Sequence, residues 1–137
     1  MEKIDELLDV YAYEMEIASS GYEMMGCMLD RRYVKSRLKM AGISDVYIYG
    51  GGYLGIQLYY ALRESANILG VVDKSGGLLL PIPEIPVMSL EEFRGTYKGQ
   101  NVIITPMKFY QSILEGLSAF VPEGKMMCLG EFLGGKL

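Results

Sequence analysis

From residue 45 onward the chain alternates short apolar runs of strand type with segments of helical spacing, and this constrains its fold more than any other feature. Such alternation is the pattern of a parallel sheet with crossover helices, because parallel neighbours cannot be joined by a tight turn. Val46-Tyr47-Ile48-Tyr49 reads as the first strand, Tyr53 to Ser65 as a helix and Asn67 to Val72 as the second strand. Lys74-Ser75-Gly76-Gly77 forms a turn. Leu78 to Pro86 is apolar but holds Pro81, Pro83 and Pro86, which cannot donate ladder hydrogen bonds, so it is expected to wrap the domain as extended chain. Val87-Met88 fits a short edge strand, and Ser89-Leu90-Glu91-Glu92 has the form of a capping box starting a brief helix to about Arg94. Asn101 to Thr105 reads as a buried strand, Pro106 opens a helix over Met107 to Leu117, and Lys125 to Leu129 closes as a final strand.

The first forty residues follow a different pattern. Ile4, Leu7, Leu8, Tyr11, Met15 and Ala18 fall at helical spacing with acids between them, so Glu2 to Ala18 is expected to be an amphipathic helix stopped at Ser19-Ser20-Gly21. A second, looser stripe of Tyr22, Met25, Met28, Leu29, Tyr33, Ser36 and Met40 has Asp30, Arg31, Arg32, Lys35, Arg37 and Lys39 on its remaining face, with Gly42 as its stop. The chain therefore divides into an N-terminal helical arm, residues 1–43, and an α/β domain, residues 44–137. Methionine is concentrated in the arm, and flexible thioethers suit adaptable surfaces. The stripe either covers the domain's own sheet or associates with a second copy of the chain.

Composition narrows the functions. Half the residues are apolar and 22% are charged, with a net charge of −4. That sign argues against a nucleic-acid partner and against an anionic membrane surface, since both require phosphates to be neutralised. No apolar run approaches a membrane span and the first residues carry alternating charge, so the chain reads as cytoplasmic. Cys27 and Cys128 lie far apart, and the chain contains no histidine, which suggests neither a disulfide framework nor a zinc site. Missing histidine also removes the commonest general base and every Ser-His or Cys-His nucleophile pair.

Gly50-Gly51-Gly52-Tyr53-Leu54-Gly55 carries the chemistry. A G-x-G-x-x-G match is weak by itself, but this one directly follows a strand and opens a helix. In that setting Gly50 makes the tight turn, Gly52 lets a pyrophosphate approach the backbone, and Gly55 lets helix and strand pack closely. The unpaired amides and positive dipole end of the helix bind phosphate without a basic side chain. Asp73 lies about 20 residues further on, at the end of the second strand, where an acid accepts hydrogen bonds from ribose hydroxyls and repels a 2′-phosphate. NAD is thereby favoured over NADP, a preference softened by Lys74; alternatively, Asp73 only begins a turn. The fold class is accordingly α/β, a small Rossmann-like parallel sheet of about five strands in the order 3-2-1-4-5, preceded by one or two N-terminal helices. Its switch point, between the first strand and the strand at Asn101 to Thr105, places Thr105, Pro106, Met107 and Lys108 opposite the glycine loop.

Taken in order, the glycine loop, Leu69-Gly70-Val71-Val72-Asp73, Ile85-Pro86-Val87-Met88-Ser89-Leu90-Glu91-Glu92-Phe93 and Val102-Ile103-Ile104-Thr105 resemble the small Rossmann-like domain of bacterial surface-glycan enzymes. That domain stands at the front of CapD-type nucleoside-diphosphate-sugar dehydratases and PglD-type sugar acetyltransferases. The resemblance covers about residues 45–130 and implies NAD(P)-like binding as in some members, nucleotide-sugar binding as in others or no known ligand as in many, with association to a glycan-biosynthesis enzyme. No tyrosine has a lysine four residues later, so the Tyr-x-x-x-Lys dyad of a CapD-type catalytic domain is missing, as are the hexapeptide repeats and catalytic histidine of a PglD-type enzyme. The expected function is an accessory or sensor module that binds a small-molecule nucleotide in glycan or cell-envelope metabolism. Two alternatives stand beside it. One is a small NAD-dependent sugar-nucleotide-modifying enzyme, drawing on Tyr53, Lys108 or Tyr110 for proton transfer. The other is a ligand-free scaffold that forms a homodimer through its N-terminal helices.

Overall fold

The computed structural model describes residues 23–74 and 82–134. The expected helix over Glu2 to Ala18, the end of the Lys74 turn and the start of the proline-containing segment lie outside the described residues.

Five strands form one all-parallel sheet: β1 (Asp45–Tyr49), β2 (Asn67–Val72), β3 (Val87–Met88), β4 (Asn101–Ile104) and β5 (Met126–Cys128). Their spatial order is β3-β2-β1-β4-β5, as the alternation of strands and helices predicts. The middle strands are apolar on both sides because helices cover both faces. Along β1 the side chains alternate, with Val46 and Ile48 entering one core and Tyr47 and Tyr49 the other. β3 is the short edge strand. Val71 donates its N–H to Pro86 at 2.8 Å and Asp73 donates to Met88 at 3.1 Å, so the proline lies at the margin, where its missing donor is not needed.

The first core is covered by α1 (described over 23–29), α2 (Arg31–Ala41), α3 (Tyr53–Leu62) and α6 (Leu129–Phe132). Met24, Met28, Val34 and Leu38 are buried in it with Val46, Ile48, Ile56 and Leu62, so the described part of the N-terminal segment packs on the sheet. The sequence stripe predicts one helix through residue 40, whereas the structure divides it at Asp30. The Asp30 carboxylate accepts the N–H groups of Arg32 and Tyr33 at 3.1 and 3.2 Å and caps α2, which Gly42 ends with φ 68°. α6 lies beyond the last expected strand. Its exposed carbonyls are taken up by α2: Arg37 Nε donates to Phe132 O at 2.7 Å, and the Tyr33 hydroxyl donates to Leu133 O.

The second core lies under α4 (Leu90–Thr96) and α5 (Tyr110–Leu117). The capping box forms as expected, Glu92 N–H donating to Ser89 Oγ at 3.1 Å. Phe93 stands in the centre of an aromatic group, with its ring centroid 4.8 Å from Tyr47, 5.3 Å from Tyr97 and 5.5 Å from Phe120, all edge-on. Phe93 is fully buried. Replacing it with alanine (Phe93→Ala) should therefore lower unfolding free energy by about 3–5 kcal/mol, measured by urea denaturation; a loss below about 1 kcal/mol would show that α4 does not anchor this face.

Candidate functional site

The end of β1 is bonded to both neighbours. Gly50 N–H donates to Val72 O at 2.7 Å, while Tyr49 O accepts from Thr105 N–H at 2.9 Å and from the Thr105 hydroxyl at 3.0 Å. The glycine loop starts here, and its residues have distinct physical reasons. Gly50 has φ 113°, and a Cβ on it would stand 2.4 Å from Thr105 Oγ1 and 2.8 Å from Pro106 Cδ. A Cβ on Gly55 would lie 1.8 Å from the Gly50 carbonyl oxygen, so helix α3 crosses the loop at a distance that no side chain permits. At Gly52 a Cβ would meet nothing within 4 Å. Gly50 and Gly55 are thus required by the protein itself, and Gly52 is not.

Gly52 caps α3 with extended backbone and no side chain contributes to the cap. The first intrahelical bond runs from Ile56 N–H to Gly52 O at 3.0 Å, so the amides of Tyr53, Leu54 and Gly55 have no partner within the helix. Gly52 and Tyr53 are exposed, Leu54 is half-buried and Gly55 is buried. Asp73 reaches back to this loop, its Oδ2 accepting the Gly51 N–H at 2.7 Å. A carboxylate offers about four acceptor positions, so this bond is compatible with a ribose contact as well.

Beside the loop lies a cleft of about 540 Å³, between the carboxyl ends of the strands and the second helical face. Of the residues singled out in the sequence, Gly50, Asp73, Lys74, Pro106 and Lys108 line it, together with several residues of α5. Gly51 to Gly55 stand outside the lining, and Gly50 and Asp73 are where loop and cleft meet. Thr105 is absent from the lining; it is 3% exposed and its hydroxyl serves Tyr49. The helix expected from Met107 begins at Tyr110 instead, because Phe109 adopts a left-handed conformation with φ 63°. Sequence periodicity gave no signal for Phe109, Ser112, Ile113 and Gly116, which reach the cleft through the placement of α5 on the sheet.

Protonation at this end of the sheet is shifted upward. Burial, reinforced by the Asp73 carboxylate, raises the Tyr49 phenol above its ordinary value. Burial, with Cys128 and Glu131 adding to it, pushes Tyr110 up to about 12, so its phenolate is unavailable as a base near neutrality. Burial also raises the Cys128 thiol, whose Sγ lies 3.4 Å from Glu131 Oε1. No group of side chains suited to hold a metal ion occurs among the described residues, and no helix among them is long and apolar enough to cross a membrane.

No family model matches the chain, and neither curated proteins nor solved structures give a match. The fold and site by themselves define an all-parallel α/β protein with a glycine loop at a strand-to-helix turn, beside a cleft at the sheet's carboxyl edge.

Two measurements check this geometry. Gly55→Ala should cost roughly 3 kcal/mol or more of stability, because backbone stands where its Cβ would go, while Gly52→Val should remain folded within about 1 kcal/mol of wild type. Equal melting temperatures for the two variants would contradict the packing of α3 on the loop. Unfolding also exposes phenols whose pKa is raised in the folded state (Tyr47, Tyr49, Tyr97 and Tyr110), together with the Cys128 thiol. The unfolded chain gives up these protons at lower pH than the folded one, so the stability they confer is complete below about pH 9 and is lost as the pH rises towards about 12. Tm followed across that range should fall, and Tyr110→Phe should make the fall shallower.

Proposed function

We propose that this chain is a Rossmann-like nucleotide-binding module that holds the nucleoside diphosphate of an NAD-like or nucleotide-sugar ligand across the carboxyl end of its sheet. The diphosphate lies on the exposed Gly52 and the amides that open α3, the ribose reaches Asp73, and the base enters the cleft lined by Lys74, Pro106 and α5. Gly52 carries the reading. Its two motif partners are explained by contacts inside the protein, whereas the room left by its missing Cβ is used by nothing among the described residues. That is the room a pyrophosphate requires for close approach to backbone donors. An acidic protein can bind an anion this way because the helix supplies the positive end itself.

The reading is one of binding and not of turnover. Burial pushes the Tyr110 phenol up to about 12, so it offers no general base near neutrality. The resemblance to the small domain of CapD-type and PglD-type enzymes supports a role in bacterial glycan or cell-envelope metabolism beside a partner enzyme.

A thermal-shift series with NAD⁺, NADH, NADP⁺ and UDP-sugars tests the assignment. A ligand at 100 times its dissociation constant adds about 2.7 kcal/mol to the native state, a rise of several degrees in Tm. Gly52→Val should abolish the rise while leaving the unliganded Tm nearly unchanged. A flat series in the wild type overturns the reading.

A further inference from the structure

We propose that Phe109 is the stacking surface for the planar base of the bound nucleotide. The proposal rests on the nucleotide reading above and adds the recognition of the ligand's ring to it.

Phe109 combines three properties that folding of the chain does not account for. It is the one residue other than glycine with a positive φ among the described residues, φ 63° and ψ 18°, a region in which a bulky side chain is a genuine outlier. The residue is 76% exposed and belongs to neither hydrophobic core. It also lines the cleft, together with Pro106, Ile113 and the Asp73 end of β2. Glycine or asparagine would satisfy the backbone here, and a polar side chain would satisfy the solvent. Strained non-glycine residues concentrate at ligand clamps and active sites.

The chemistry of the ring limits what it can do. Phenylalanine has no proton to transfer and no polar atom to direct, so it offers only a flat apolar face. A heteroaromatic base is the part of a nucleoside diphosphate that such a face recognises, and covering the ring with it removes from water the apolar area that the unliganded protein exposes. Every base has such a face, so Phe109 contributes affinity without choosing between adenine and uracil. That choice falls to polar groups on the cleft wall, where Lys74, Lys108 and Ser112 stand.

Isothermal titration with ADP and with UDP, on wild type and on Phe109→Gly, Phe109→Leu and Phe109→Tyr, tests the inference. ADP is the half of an NAD-like ligand that carries a base, and UDP is the corresponding part of a uridine nucleotide sugar, so the better binder in the wild type identifies the ligand's source. For that binder, loss of the aromatic face in Phe109→Gly and Phe109→Leu should weaken binding by roughly five- to hundredfold. Phe109→Tyr should stay within about threefold of wild type. Unliganded Tm should be unchanged or higher in Phe109→Gly, since glycine accepts the left-handed backbone. Unchanged affinity in Phe109→Gly overturns the stacking role and leaves the nucleotide reading standing. Wild-type affinity in Phe109→Leu overturns it too, because apolar bulk and not a ring would then suffice. Failure of both nucleotides to bind the wild type overturns the nucleotide reading and this inference together.

Discussion

The rest of the structure depends on the contact between Gly55 and the carbonyl of Gly50. A Cβ on Gly55 would stand 1.8 Å from that oxygen, so α3 can cross the end of β1 only because Gly55 carries no side chain at the crossing. The close crossing fixes the loop between them. Gly50 N–H is bonded to Val72 of β2, Gly51 N–H to Asp73, and the Gly50 Cα faces Thr105 and Pro106 after β4. The ends of three strands therefore hold one turn, and the direction of α3 follows from it.

Once that turn is fixed, the two faces of the sheet take different work. The face under α2, α3 and α6 is filled by aliphatic side chains from β1 and by methionines of the N-terminal segment, and Arg37 and Tyr33 of α2 hold the carbonyls around α6. The face under α4 and α5 is aromatic, with Tyr47, Tyr97 and Phe120 packed edge-on around Phe93. The cleft opens on this second side, where α5 starts late, with Gly50 and Asp73 in its lining.

The fold was legible in the sequence because its signals are local. Five short apolar runs separated by helical spacing, proline at the edge and Ser89 with Glu92 each specify an element without reference to the others, and the strand order follows from the switch in crossover direction. The steric roles of Gly50 and Gly55 were legible for the same reason, since a strand followed at once by a helix requires them. What was not legible depends on distant groups. Thr105 reads as a ligand donor from its position, but its hydroxyl is drawn to the Tyr49 carbonyl 56 residues away. Pro106 reads as a helix start, but it packs where a Gly50 side chain would be, and the helix waits for Tyr110. The division of the second helix at Asp30 was hidden in a run of charges, and α6 has a cysteine where a recognisable cap would be.

The net charge of −4 limits how an anion can be held here, and the position of Asp73 makes the limit sharper. Its carboxylate stands at the mouth of the loop that would receive a diphosphate, yet it is bonded to Gly51 N–H, so part of its charge is offset by a backbone donor. The lysines at positions 74 and 108 line the same cleft. The α3 amides, the Asp73 carboxylate and the exposed Phe109 offer three different chemistries in and beside the cleft. A simple phosphate would use only the first of them. On the proposed reading, one nucleoside diphosphate, with its anion, hydroxyls and planar base, would engage all three, which would give a use to a strained phenylalanine and a sterically unneeded glycine.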